Sequence, residues 1–275
     1  MPQDRPHAAG AGQAPSVPTA AGFDEGFVAI AASPGIRRVW EVVDPDLPPE
    51  IEPFSFVSVD LLGHVAHALD LPPGQILVDL GCGRGGPGLW LARSQGVSLI
   101  GVDFSAVAVQ QASDRAVLFG LADTARFAVG DLAATGLADA IADAVVSIDA
   151  LHMAPDLAAA GREALRILRP GNRLVLTGWQ PRAPEDSRLP SRLRIDWVTA
   201  LRLVGFVDVQ VASRPEWHEL FVRVYRVALE LGGPGNDAAL AGLQDEARRH
   251  LPLAELVDRV VVTATRPDGG PRDGS

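Results

Sequence analysis

The chain has 275 residues, 47% of them hydrophobic, with a net charge of −10, one cysteine and no lysine. That length and apolar content suffice for one large domain or two small ones. The single cysteine excludes an intrachain disulfide and a four-cysteine zinc site, and the missing lysine excludes Schiff-base chemistry. The negative balance argues against a nucleic-acid partner. With no apolar run of about 18 residues and no signal peptide, a cytoplasmic protein that stays off the membrane is expected.

In chain order, residues 1–22 are Ala, Gly and Pro without periodicity and read as a disordered tail. Residues 23–73 read as an N-terminal helical cap. Phe27, Ile30 and Ala31 suggest a helix broken at Pro34, and Val39–Val43 a second. Phe54, Phe56, Val57, Leu61, Leu62, Val65 and Leu69 suggest a third, stopped by the punctuation of Leu71–Gly74. After Gly74 short apolar runs alternate with amphipathic stretches. The runs Ile76–Leu80, Leu99–Val102, Arg126–Val129, Ala144–Ile148 and Leu174–Thr177 have the composition of strands buried on both faces. Gly88–Ser94, Ala106–Phe119 and Leu157–Leu168 read as the helices between them. Such alternation predicts an α/β fold with a parallel sheet covered on both sides. Trp197–Val204 then reads as a helix and Val207–Ala212 as a strand. Two helical stretches follow within an insertion at 216–255, and DRVVVTATRP reads as a closing strand. The main domain is thus placed at 74–267, with a second tail at 268–275.

The stretch VDLGCGRGGPG, Val78–Gly88, contains G-x-G-x-x-G between a strand and a helix, the context in which that pattern binds a nucleotide. Its glycines permit a tight turn and close approach of backbone to ligand. Asp103 ends the second strand, where a carboxylate can bond both hydroxyls of a ribose, in NAD or in S-adenosylmethionine alike. Phe104 beside it is a candidate for one face of the adenine, and Ser105 is a candidate cofactor contact as well as the candidate cap of the following helix. After the third strand, Gly130 and Asp131 are candidate cofactor contacts, Asp131 as a carboxylate that can accept from an adenine amino group. His152, at the end of the fourth strand, is a candidate general base, with Asp149 as the other candidate. Trp179 ends the fifth strand at the same rim. It is a candidate substrate residue together with Phe56 and Trp217, and the loop QPRAPEDSRLPSR is expected to wall the same site.

Taken in order, LVDLGCGRGGPGLWLA, GVDFS, GDL, ADAVVSIDALHM and ALRILRPGNRLVLTGW resemble the class I S-adenosylmethionine-dependent methyltransferases, and within them the bacterial enzymes acting on small molecules of secondary metabolism. The resemblance covers roughly residues 54–215. It implies a Rossmann-like sheet, mostly parallel, whose antiparallel last strand inserts beside the fifth. It implies that Asp79 and the loop Gly81-Cys82-Gly83 hold the amino-acid end of the cofactor, Asp103 the ribose, Asp131 and Leu132 the adenine, and the backbone around Ser147 the methionine amino group. Charge supports this cofactor over NAD, because Asp79 would stand near the pyrophosphate of a dinucleotide but suits an ammonium or a sulfonium. No metal-ligand cluster is visible. The chain departs from the family's pattern in having Gly171-Asn172 where two glycines are common, and only His152 where many relatives carry two histidines. A cyclase or isomerase that binds the same cofactor without transferring methyl is the alternative the motifs leave open.

Overall fold

The central strands of the sheet are buried apolar runs whose alternate side chains face opposite helical layers. In the computed structural model, which describes residues 19–268, the elements in chain order are α1 (Ala20–Ala32), α2 (Pro34–Val43), α3 (Val59–Leu69), β1 (Ile76–Leu80), α4 (Gly86–Gln95), β2 (Ser98–Asp103), α5 (Ala106–Arg115), β3 (Ala125–Val129), β4 (Ala142–Ile148), α6 (Leu157–Ile167), β5 (Leu168–Pro181), α7 (Trp197–Leu203), β6 (Val207–Ser213), α8 (Pro215–Glu230), α9 (Ala238–His250) and β7 (Val257–Thr265). The strand order is β3-β2-β1-β4-β5-β7-β6. The first five strands are parallel, and β7 runs antiparallel to both β5 and β6. The expected insertion of the last strand beside the fifth is therefore present.

Leu77, Leu99, Val146, Val175 and Val261 pack with α3 and α4 on one face. Val78, Leu80, Val102, Val145, Leu176 and Val262 pack with α6 and α7 on the other. This is the period-two alternation of strands buried on both sides. A third apolar cluster joins α2, α8 and α9 outside the sheet. Among the described residues no helix is long and apolar enough to cross a membrane.

Several boundaries differ from the expectation. Helix α1 starts at Ala20 with the Thr19 side chain as its cap, so residues 20–22 are helical rather than tail; the rest of both expected tails, 1–18 and 269–275, lies outside the described residues. Helix α3 starts at Val59, because the Ser58 side chain accepts from the amide of Leu61; Phe54 and Phe56 precede it. The stretch Ala106–Phe119 is an α-helix to Arg115 and a tighter 3-10 turn beyond. Strand β5 is far longer than Leu174–Thr177, since Arg173–Pro181 all pair with β7. The Arg-Pro-Gly-Asn stretch at 169–172 is solvent-facing strand with a register shift, which its composition disguises as a turn. There Gly171 takes the left-handed conformation (φ +76), so Asn172 has no left-handed geometry to supply.

Candidate functional site

Parallel strands bring their carboxyl ends to one edge of the sheet. There, β1 delivers Asp79, β2 Asp103, the turn after β3 Asp131 and the turn after β4 Asp149 to the rim of one cavity of about 260 Å³. Gly81 (φ +75) and Gly83 (φ +50) bend the loop under that cavity. A methyl group on Gly81 would lie 2.3 Å from the Ala150 side chain, and one on Gly88 2.4 Å from Oδ2 of Asp79. Gly86 serves a different contact, since a side chain there would strike the carbonyl of Ile51 at 1.9 Å. The third glycine thus admits the N-terminal segment against α4.

The two central carboxylates differ in what they hold. Asp103 Oδ2 accepts from the amide of Gly83 at 2.8 Å and Oδ1 from that of Ser105 at 2.9 Å. Each oxygen keeps a second lone pair for a ligand such as a diol. Asp79 is 3% exposed and has no hydrogen-bond donor among the described residues. Burial first, and the charge of Asp103 second, push its carboxyl up to about 7. A buried carboxylate without a donor fits a cationic ligand group. Burial also pushes up the Cys82 thiol, with the charges of Asp79 and Asp103 acting in the same direction.

Aromatic rings close the cavity from above. Phe23 and Phe27 of α1 contact Phe54, with ring centres 5.9 and 4.5 Å away, and Phe23 meets Phe104 edge-on at 5.2 Å. Helix α1 is tethered to the site by Asp24, which accepts from the hydroxyl of Ser105. Glu52 from the segment before α3 pairs with the buried Arg84 of the glycine loop.

A second cavity of about 130 Å³ adjoins the first at Met153, which lines both. His152, Trp179, Phe56, Phe221, Tyr225 and His250 line it, as do Leu189 and Arg192 of the loop expected to wall the site and Leu193 just beyond that loop. His152 sits in a 3-10 turn after β4, edge-on to Trp179 at 5.2 Å. Burial lowers its pKa to about 4, so the imidazole is neutral, and its Nδ1 is sealed with no partner among the described residues.

Of the residues expected to meet a cofactor, Asp79, Gly81, Cys82, Gly83, Asp103, Phe104, Asp131 and Leu132 line the first cavity. Three expected there do not. Ser147 is fully buried and donates to the carbonyl of Leu80, and Ile148, Asp149 and Ala150 reach the cavity in its place. Gly130 lies beneath, crowded by the Thr135 carbonyl. Ser105 caps α5 and bonds Asp24 instead.

Among the catalytic and substrate candidates, Asp149 is not a free base. Arg259 holds both of its oxygens, at 2.7 and 3.0 Å, and the Thr177 hydroxyl donates to it at 2.8 Å. Trp217 lines neither cavity; it is buried against α3, with its Nε1 donating to Asp60. The sequence reading missed Phe23, Met153 and Arg259. Phe23 had a usable signal in its four-residue spacing from Phe27, whereas Arg259 is a lone charge in an apolar strand whose partner is 110 residues away.

Residues 78–176 match the protein family described as "Methyltransferase domain". The chain is 35% identical over 146 residues to 2-methyl-6-phytyl-1,4-hydroquinone methyltransferase of Synechocystis sp., covering 52% of this chain and 44% of that one. It is 36% identical over 116 residues to 27-O-demethylrifamycin SV methyltransferase of Amycolatopsis mediterranei, covering 42% and 43%. The chain thus spans less than half the length of these curated relatives. Among solved structures, the [4+2]-cyclase SpnF superposes with a TM-score of 0.65 at 28% identity, covering 76% of this chain and 82% of that one.

Proposed function

We propose that this chain, which matches a methyltransferase domain over residues 78–176, is a class I S-adenosylmethionine-dependent enzyme that methylates a small-molecule acceptor, in secondary metabolism. The single observation that supports the reading most is the donor-less, buried carboxylate of Asp79 beside Asp103, at the ends of adjacent parallel strands and under a glycine loop. That pair suits S-adenosylmethionine, whose ammonium Asp79 would neutralise and whose ribose diol Asp103 would bond. Phe104 and Leu132 would flank the adenine, and Asp131 would accept from its amino group. When bound, the cofactor would supply an electrophilic methyl carbon on a sulfonium; the acceptor's lone pair would bond that carbon as the C–S pair returned to sulfur, and the acceptor's proton would leave to solvent.

The chain's own contribution is alignment and exclusion of water. The Phe23-Phe27-Phe54 roof shields the cavity, and the Gly81–Gly83 backbone shapes its floor. His152 is a hydrogen-bond acceptor for the methyl acceptor: with its pKa lowered to about 4, it is unprotonated at neutral pH but only a weak base. Asp149 is a positioning residue, because its charge is already neutralised by Arg259.

The cyclase-like reading rests on one observation, the 28% identity to SpnF over 76% of this chain. Calorimetry with S-adenosylmethionine, S-adenosylhomocysteine and NAD tests the cofactor, and binding of both sulfur compounds without NAD is expected. Incubation with labelled cofactor and candidate metabolites then separates the two readings. Methyl transfer yields S-adenosylhomocysteine and a product heavier by one methyl, whereas a cyclase converts its substrate with the cofactor unchanged.

A further inference from the structure

We propose that the second cavity is the acceptor site and that it takes an uncharged, hydroxylated aromatic ring, a phenol or quinol, with its O–H directed at His152. This rests on the methyl-transfer reading. Size points to one ring: an apolar cavity of about 150 Å³ holds benzene, and this one is about 130 Å³. Shape points to a flat occupant. Phe56 stands edge-on to Trp179, Phe221 and Tyr225 at 5.9, 4.9 and 5.3 Å, so the lining offers ring edges and faces to a further ring.

Charge narrows the class. An aromatic enclosure ordinarily favours a cation, but the protein's own Arg259 guanidinium already sits 4.3 Å from the Trp179 ring centre and 6.0 Å from that of Phe56. Arg192 places a positive charge on the lining. A cationic amine would find the Trp179 face already taken and would meet the charge of Arg192. A carboxylate ligand meets Glu246, which lines the same cavity and accepts from the Tyr225 hydroxyl at 2.8 Å. Arg259 offers an anion little, because both of its arms are committed to Asp149.

Polarity sets the orientation. His152 is neutral and its Nδ1 is sealed, so Nε2 is the ring atom that meets a ligand; with the ring proton assigned to Nδ1, Nε2 accepts from a ligand hydroxyl. The adjacent Met153 lines both cavities, so a hydroxyl bonded to His152 lies on the side where the two cavities meet.

The test is calorimetry on the full chain saturated with S-adenosylhomocysteine. The probes are p-cresol, 4-methylanisole, phenyltrimethylammonium and benzoate. p-Cresol is expected to bind with a dissociation constant of about a millimolar, in keeping with its size. It should bind at least about ten-fold tighter than either ion, and about five-fold tighter than 4-methylanisole through the single hydrogen bond. His152→Leu should erase the preference for p-cresol over 4-methylanisole. Leu193→Trp and Leu253→Trp fill the cavity from its more open wall; both should abolish p-cresol binding while S-adenosylhomocysteine still binds as to the wild type. The proposal is overturned if either ion binds as tightly as p-cresol, or if both tryptophan variants keep p-cresol affinity. Failure of S-adenosylhomocysteine to bind the wild type would instead defeat the methyl-transfer reading itself.

Discussion

Asp79 is held near its titration point by what surrounds it: burial and the neighbouring Asp103 carboxylate raise its pKa to about 7. A cationic ligand selects the ionised form, so occupancy must drive the proton off. The sign follows directly. Below pH 7 the carboxyl is mostly neutral and binding of a cation must first ionise it, so affinity rises with pH until the group is ionised. Between pH 6 and 7 the ionised fraction rises about five-fold, and S-adenosylhomocysteine affinity should tighten by that factor. The ligand's own ammonium, with a pKa near 8, stays charged in this window. At pH 7 binding should release about half a proton, read as the dependence of calorimetric heat on the buffer's ionisation enthalpy. Asp79→Asn should bind weakly and without that pH slope. An Asn variant with the wild-type slope would assign the titration elsewhere.

At the scale of elements, the glycine loop is constrained from beneath by α4 as much as from above by a ligand. Gly88 lies in the first turns of α4, where a methyl group would press on Oδ2 of Asp79 at 2.4 Å. Gly88→Ala suits the helix itself but displaces the carboxylate. It should therefore lower cofactor affinity at least about ten-fold, given that hydrogen bonds to charged groups are worth roughly 1.5–3 kcal/mol, and leave thermal unfolding close to wild type. A large fall in Tm with unchanged affinity would show that the helix, not the acid, absorbs the clash. The strand-end acids could be read from sequence because strand, turn and acid are contiguous: Asp79 is the fourth residue of an apolar run, Asp103 ends one and Asp131 follows one after a single glycine. Residues on α8 could not. Trp217, Phe221 and Tyr225 share one apolar face, but each four-residue step turns that face by roughly 40° and advances it by about 6 Å. Helix α8 packs on α3 at one end and on α2 and α9 along the rest, so Trp217 meets Asp60 while Phe221 and Tyr225 meet the second cavity. Periodicity shows that a face is buried and not which neighbour buries it.

At the scale of the molecule, one ion pair joins the nucleotide-binding half to the strand that closes the sheet. Asp149 follows β4 in a left-handed conformation (φ +53), lines the first cavity and is gripped at both oxygens by the fully buried Arg259 of β7. Helices α8 and α9 are inserted just before β7, so the second cavity's wall depends on β7 being seated. Asp149 and Arg259 act as one unit, because either charge alone in this interior is uncompensated. Arg259→Met should therefore cost about 3–5 kcal/mol in urea unfolding. Asp149→Asn, which keeps the left-handed turn accessible, should also destabilise, by leaving Arg259 unpaired. The double variant should be less destabilised than the sum of the two singles by more than the roughly 0.5 kcal/mol expected of independent sites. Strictly additive losses would mean that Thr177 and the local backbone seat Asp149 by themselves, with Arg259 needed only to pack against Trp179. In that case Arg259→Met alone should leave S-adenosylhomocysteine affinity unchanged. If the pair acts as a unit, the same variant should weaken it, because Asp149 would no longer be held at the cavity wall.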